Sequence, residues 1–224
     1  MPPTEPTISA SERRSRKNRF SSILRELRKQ FPDPGCALQH HDAWELLTAT
    51  ILSAQCTDAR VNMVTPALFA KYPDVRAMAR GDIDTISDII RSTGFFNAKA
   101  KNLLACARTI VERHKGAVPR SMEELTALPG VGRKTANVVL GNAFNIPGLA
   151  VDTHVARISG LLALTESDDP VVIERDLCAL LAPDDWTDAS HLLILHGRAT
   201  CIARRPKCDA CAIARYCPSA RDTP

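Results

Sequence analysis

From Phe20 to Cys201 the chain punctuates one helix after another and nowhere sustains the apolar–polar alternation from which a sheet is built. "DAWELLTATILSAQ" opens with Asp42 as a plausible N-cap and Glu45 three residues on. "DIDTISDIIRS" stops at Gly94, and "NAKAKNLLACARTIVERH" stops at Gly116. "SMEELTAL" carries Ser121 and Glu124 in capping-box spacing and ends at Pro129-Gly130. "THVARISGLLAL" and "ASHLLILHGRATC" continue the 3.6-residue period. The expected fold class is all-α, with short loops and no internal repeat. At 224 residues the chain has room for one large domain or two small ones. Residues 1–18, rich in Pro, Ser and Arg, lack apolar periodicity and read as a disordered basic tail.

Charge narrows the partners. The net charge is only +4, but residues 13 to 29 hold Arg13, Arg14, Arg16, Lys17, Arg19, Arg25, Arg28 and Lys29 against Glu26 alone. A second basic group, Arg204, Arg205 and Lys207, lies near the carboxyl terminus. Such clusters suit a polyanion, or equally a solvated tail and helix face. Aromatic residues make up 4% of the chain, too few for a base-stacking platform that grips single strands. No apolar run approaches the roughly 20 residues that span a bilayer, and the first residues lack a signal-peptide core. A soluble intracellular protein is expected, with no membrane partner.

The eight cysteines divide into two groups. Cys36, Cys56, Cys106 and Cys178 are scattered in apolar surroundings and read as ordinary buried thiols. Cys201-x6-Cys208-x2-Cys211-x5-Cys217 places four within one short loop, which points to a metal site in a reducing compartment. By ligand type alone, zinc and a [4Fe–4S] cluster are both open. His191 and His196 are five apart, do not share a helical face, and read as packing or surface residues.

"LPGVGRKTA", residues 128 to 136, compresses a helix stop, a glycine turn and a helix start into nine positions. It places Arg133 and Lys134 in the first helical turn, where the dipole disfavours cations by roughly 0.3–1 kcal/mol each. The Gly130-Val131-Gly132 turn can aim backbone N–H groups outward, an arrangement suited to phosphate. It is not a nucleotide P-loop, because Arg133 precedes the lysine and Ala127 occupies the upstream glycine position. The unfavourable placement has a chemical use. An ordinary lysine is only about 0.04% neutral at pH 7, and only the neutral amine attacks carbon. The helix pole and Arg133 both disfavour the protonated form.

These residues carry a resemblance. "LPGVGRKTANVVL" followed by "AVDTHVARI", with "ILSAQCTD", "TGFFNAKA" and "LILHGRATCIARRPKC" in the same order, resembles the endonuclease III family of helix–hairpin–helix DNA glycosylases. The resemblance covers nearly everything after residue 36. It implies a two-domain fold: a six-helix barrel over residues 37–148, with the hairpin at about 121–143, and a cluster domain made of residues 19–36 plus 149–224. It implies Lys134 as the nucleophile that attacks deoxyribose C1′ and forms a Schiff base, and Asp152 as the carboxylate that stabilises charge at C1′. Asp152 is equally a natural N-cap. An ionised Asp152 near Lys134, at the junction of the two domains, would oppose the helix pole.

The same resemblance assigns DNA-backbone contacts to Gly130, Val131 and Gly132, and gap filling behind a flipped nucleotide to Gln55, Phe95 and Phe96. Taken alone, the two phenylalanines read as core. His154 follows Asp152 closely and is expected to border the site. The spacing of Cys201, Cys208, Cys211 and Cys217 matches the family's [4Fe–4S] loop, which would hold Arg204, Arg205 and Lys207 against phosphate. The implied substrate is double-stranded DNA with an oxidised pyrimidine or abasic site, handled by a monomer. Thr50 stands where a sister group of adenine glycosylases carries Glu, and that group lacks the lysine, so adenine removal is disfavoured. A non-catalytic DNA-binding module is the rival from another class.

Overall fold

The computed structural model describes residues 9–220, and every regular element in them is helical. In chain order these are α1 (Ala10–Gln30), α2 (Ala43–Leu52), α3 (Asp58–Lys71), α4 (Val75–Ala79), α5 (Ile83–Ile90), α6 (Phe96–Arg113), α7 (Met122–Thr126), α8 (Arg133–Phe144), α9 (Thr153–Leu161), α10 (Pro170–Leu180) and α11 (Trp186–Ala199). Short 3₁₀ turns close the gaps at Arg91–Thr93, Pro183–Asp185, Cys208–Ala210 and Ala214–Tyr216. Side-chain caps start most of the helices: Asp42, Thr57, Asp74, Asp82, Ser121, Asp152 and Asp169 each accept from a backbone N–H in the first turn. No helix among the described residues is long and apolar enough to cross a membrane.

The chain divides into two compact units, Cys36–Gly148 and the pair of segments Met1–Gly35 and Leu149–Pro224. In the first, α2 to α8 enclose Leu46, Leu47, Leu52, Leu68, Met78, Ile86 and Leu103, all essentially inaccessible to solvent. Each such side chain contributes roughly 1.5–3 kcal/mol through burial. Two of the seven helices, α4 and α7, are a single turn of five residues.

In the second unit, Phe20, Ile23, Leu24 and Leu27 of α1 lie at i, i+3, i+4 and i+7 and pack with Leu149, Val155, Ile158, Leu177, Leu192 and Ile213. Here one expectation is corrected. Residues 10–18 are not a disordered tail but the first turns of α1; residues 1–8 of the expected tail lie outside the described residues. Ser9 caps the helix at the Glu12 N–H. Arg16 pairs with Glu12 at 3.5 Å and with Glu166 at 2.8 Å. The Arg19 guanidinium donates to the carbonyls of Leu162, Ala163 and Tyr216. The charge run masked these specific partners, which fall 143 to 197 positions away or one turn along and carry no periodic signal.

Candidate functional site

The glycine turn before α8 is anchored on both sides by apolar residues. Leu128 and Val131 are buried in the core of the Cys36–Gly148 unit, which leaves Gly130 and Gly132 at the surface. Gly130 has φ +77, and a Cβ there would lie 2.8 Å from the Cβ of Asn102. Both constraints demand glycine. Gly132 is the N-cap of α8, with extended backbone, no side-chain cap and open space where a Cβ would be. The Val131 N–H donates to the Leu128 carbonyl at 3.1 Å, so this amide is already engaged and its side chain points inward. The expectation of three outward amides therefore narrows to Gly130 and Gly132, whose N–H groups have no acceptor among the described residues.

Lys134 is exposed on the first turn of α8, and no side chain or carbonyl among the described residues holds its ammonium. Its charge is felt nearby: burial pushes the Cys36 thiol up, and Lys134 offsets part of that rise. The rest of α8 is largely enclosed: Asn137 and Gly141 are buried along with Ala136, Val139 and Leu140. Gly148 accounts for part of this, because a Cβ on it would sit 2.8 Å from the Asn137 carbonyl.

Asp152 belongs to the other unit and starts α9. Its Oδ1 accepts from both the His154 and Val155 N–H groups, each at 2.8 Å. One oxygen thus fixes the carboxylate, while Oδ2 has no partner among the described residues. His154 turns its ring onto α11: a Cβ on Gly197 would lie 2.8 Å from its Nδ1, which is buried without a hydrogen bond.

Gln55 and Phe95 share an unusual backbone. Both are non-glycine residues in the left-handed region, with φ +52 and +48, and both are exposed; Phe95 is 67% exposed. That conformation is uncommon for residues with a Cβ. Gly94 precedes Phe95 with φ +71. Phe96 behaves differently. It is half-buried against the unit's core, with the Arg91 guanidinium 5.1 Å from its ring centroid. The two phenylalanines therefore divide between the surface and core readings. Behind both turns lies Lys99, buried, which sequence reasoning passed over because nothing in "NAKAKN" distinguishes a buried lysine from a solvated one. Thr50, also buried, donates its hydroxyl to the Leu46 carbonyl at 2.7 Å.

Cys201, Cys208, Cys211 and Cys217 are free, half-buried thiols that line one cavity of about 210 Å³. Burial pushes Cys211 and Cys217 up, and the other thiols of the group raise them further, as expected when negative charges are crowded together. Arg157 and His196 share the wall. Arg157 Nη1 lies 3.6 Å from Cys201 Sγ, and His196 Nε2 lies 3.9 Å from Cys211 Sγ. Burial, with Arg157 second, pushes His196 down to about 4, so the imidazole is neutral at pH 7. Arg157 Nη2 and His196 Nδ1 are buried polar atoms without partners. Among the described residues no three Cys, His, Asp or Glu side chains are grouped to hold a single ion. Four thiolates around a cavity, with a buried guanidinium beside them, fit an anionic polynuclear group that takes one thiolate per metal. Arg204, Arg205 and Lys207 are exposed on the same loop, and the Lys207 Nζ donates to the Ala199 carbonyl at 3.2 Å.

The comparisons with known proteins agree. Residues 48–183 match the model of the HhH-GPD superfamily of base excision DNA repair proteins. The chain is 54% identical over 208 residues to endonuclease III of Synechocystis sp., covering 92% of this chain and 95% of that one. A solved non-covalent endonuclease III–DNA complex superposes with a TM-score of 0.87 at 40% identity, covering 91% of this chain and 96% of the other. A trapped endonuclease III–DNA covalent intermediate gives 0.86 at the same identity and coverage. With this fold, this order of motifs and relatives of this closeness, the chain belongs to the endonuclease III family of the HhH-GPD superfamily.

Proposed function

We propose that this DNA glycosylase and abasic-site lyase of base excision repair removes oxidised pyrimidines from duplex DNA, and that Lys134 is the amine that attacks. The observation that carries the assignment is Lys134 itself: exposed and unheld on the first turn of a helix that has no side-chain cap. A covalent DNA intermediate is known for a relative 40% identical to this chain.

The neutral amine of Lys134 forms a bond to C1′ as the C1′–N glycosidic bond breaks, and the electron pair leaves with the base. Opening of the sugar ring gives a protonated Schiff base. Loss of a proton from C2′ then expels the 3′ phosphate by β-elimination, and water releases the lysine. Asp152, fixed through Oδ1, has Oδ2 available to stabilise positive charge at C1′ and to accept a proton from the attacking amine. The free amides of Gly130 and Gly132 bind a backbone phosphate at the helix start. Gln55 and Phe95 enter the space left by the flipped nucleotide, and Phe96 supports Phe95 from the core side. His154 borders the site through its backbone N–H on Asp152. Thr50, buried and bonded within its own helix, offers no acid for adenine removal.

Cys201, Cys208, Cys211 and Cys217 would hold a [4Fe–4S] cluster, with Arg157 and His196 lining its cavity. When bound, the cluster supplies a rigid crosslink for the loop. The loop presents Arg204, Arg205 and Lys207 to phosphate and makes binding salt-dependent. The protein acts as an intracellular monomer with a barrel domain over residues 37–148 and a cluster domain over residues 19–36 plus 149–224, of which 221–224 lie outside the described residues.

Borohydride trapping on duplex DNA containing thymine glycol tests the assignment. A covalent complex is expected with the native protein and none with Lys134→Ala. Folded, DNA-binding native protein that yields no complex on either thymine glycol or an abasic site would overturn it in favour of a binding module.

A further inference from the structure

Lys99 stands on α6 with 4% of its surface exposed, and its ammonium makes two hydrogen bonds of 2.8 Å, to the carbonyls of Leu52 and Thr93. Neither acceptor is an anion. Burying an ammonium on neutral acceptors is costly. What distinguishes the pair of carbonyls is their place. Leu52 is the last residue of α2, and Gln55 follows it by three positions. Thr93 closes the 3₁₀ turn Arg91–Thr93, and Gly94 and Phe95 follow directly. Each acceptor thus lies within three residues of an exposed, left-handed residue.

The surroundings reinforce the same two turns. Thr93 Oγ1 donates to the Ile90 carbonyl at 2.8 Å, and Ser53 Oγ to the Thr50 carbonyl at 2.8 Å. The Phe95 carbonyl accepts from the Lys99 N–H at 3.0 Å, so the same residue also holds the second turn through its backbone. Each turn is therefore closed on its own, and the Lys99 ammonium bonds them to one another.

We propose that Lys99 is a positioning residue for nucleotide flipping: its ammonium staples the turn bearing Gln55 to the turn bearing Phe95, so that both side chains enter the base stack at a fixed separation. This rests on the reading of Gln55 and Phe95 as gap fillers. Lys99 touches neither DNA nor the reacting carbon. Without the staple each turn retains its local bonds but loses its register with the other, and the cost falls on the step in which a stacked nucleotide leaves the helix. A nucleotide that is already unstacked does not need it.

The test uses Lys99→Met in the full-length protein, with two substrates compared in single-turnover reactions. One is thymine glycol paired in a duplex with 2-aminopurine beside it as an unstacking probe; the other is an abasic site in single-stranded DNA. Lys99→Met is expected to lower excision from the duplex at least ten-fold and to reduce the 2-aminopurine signal, with trapping on the single-stranded abasic site within three-fold of native. Equal losses on both substrates would show a merely structural role and overturn the proposal, as would native excision and an unchanged signal. Should Lys99→Met fail to fold, Lys99→Gln, one bond shorter, takes its place with the same expected split. A native protein that forms no borohydride complex on either substrate would instead overturn the role of Lys134, a failure visible without any Lys99 variant.

Discussion

Two helices of this molecule begin in opposite ways. In the Cys36–Gly148 unit α8 starts at a glycine whose amides are left open, with a lysine on its first turn. In the other unit α9 starts at Asp152, whose carboxylate satisfies two amides at once. The positive pole is therefore presented outward in one case and neutralised internally in the other. The contrast separates two tasks that a helix start can perform: holding a phosphate that arrives with the substrate, and holding a carboxylate that must already be in place. It also gives a use to the missing side-chain cap of α8, an absence shared among the described helices by α6 and α11. A cap there would occupy the position of the phosphate in the proposed complex.

The contrast can be broken at several points. The largest effect is expected at Asp152. Asp152→Asn keeps an equally good cap, so folding stability is unchanged, while single-turnover base excision falls about 10²–10⁴-fold. Asp152→Ala should match that loss and also cost about 1 kcal/mol in a denaturant titration. If the Asn variant excises like the native protein, the carboxylate of α9 is a cap and nothing more.

Filling the open start of α8 is the converse experiment. Gly132→Asp meets no steric obstacle and suits the extended backbone there. It should raise stability by a few tenths of a kcal/mol and weaken duplex DNA binding by about ten-fold, because a resident anion displaces a charge-assisted contact. Tighter binding by this variant would sink the phosphate-site reading.

A third substitution stays inside the hairpin. Ser121 caps α7, accepting from the Glu124 N–H at 3.2 Å and donating to the Glu124 carboxylate at 2.7 Å. Ser121→Ala is expected to cost about 1 kcal/mol of stability with DNA affinity unchanged once the protein is folded, which would separate capped from uncapped starts within one motif. The smallest effect concerns salt. A backbone amide carries no net charge, whereas Arg204 does, so Arg204→Ala should reduce the slope of log affinity against log salt by about 0.9.

Much of this was legible from residue types. Asp42 with Glu45 and Ser121 with Glu124 announce their helices, and both aspartate and serine caps form. The four grouped cysteines come together in one cavity because short spacing leaves them little room to separate. What could not be read depends on tertiary partners. The first turns of α1 are ordered by Glu166 and by carbonyls near residues 162 and 216, which no local pattern reveals. The split between Phe95 and Phe96 depends on a left-handed φ that the preceding glycine permits but does not dictate. Lys99 was invisible for the same reason, since its burial is decided by α2 and by the Arg91–Thr93 turn.

The division of the second unit into Met1–Gly35 and Leu149–Pro224 bears on how the chain is made. Helix α1 leaves the ribosome before α2 to α11, yet the surfaces that cover Phe20, Ile23, Leu24 and Leu27 begin at Leu149, over one hundred residues later. The Cys36–Gly148 unit can close while α1 still waits, its apolar stripe uncovered. Cys201, Cys208, Cys211 and Cys217 emerge after α2 to α11, so vectorial synthesis delivers the lysine-bearing unit early and the cysteine loop of the other unit well after it.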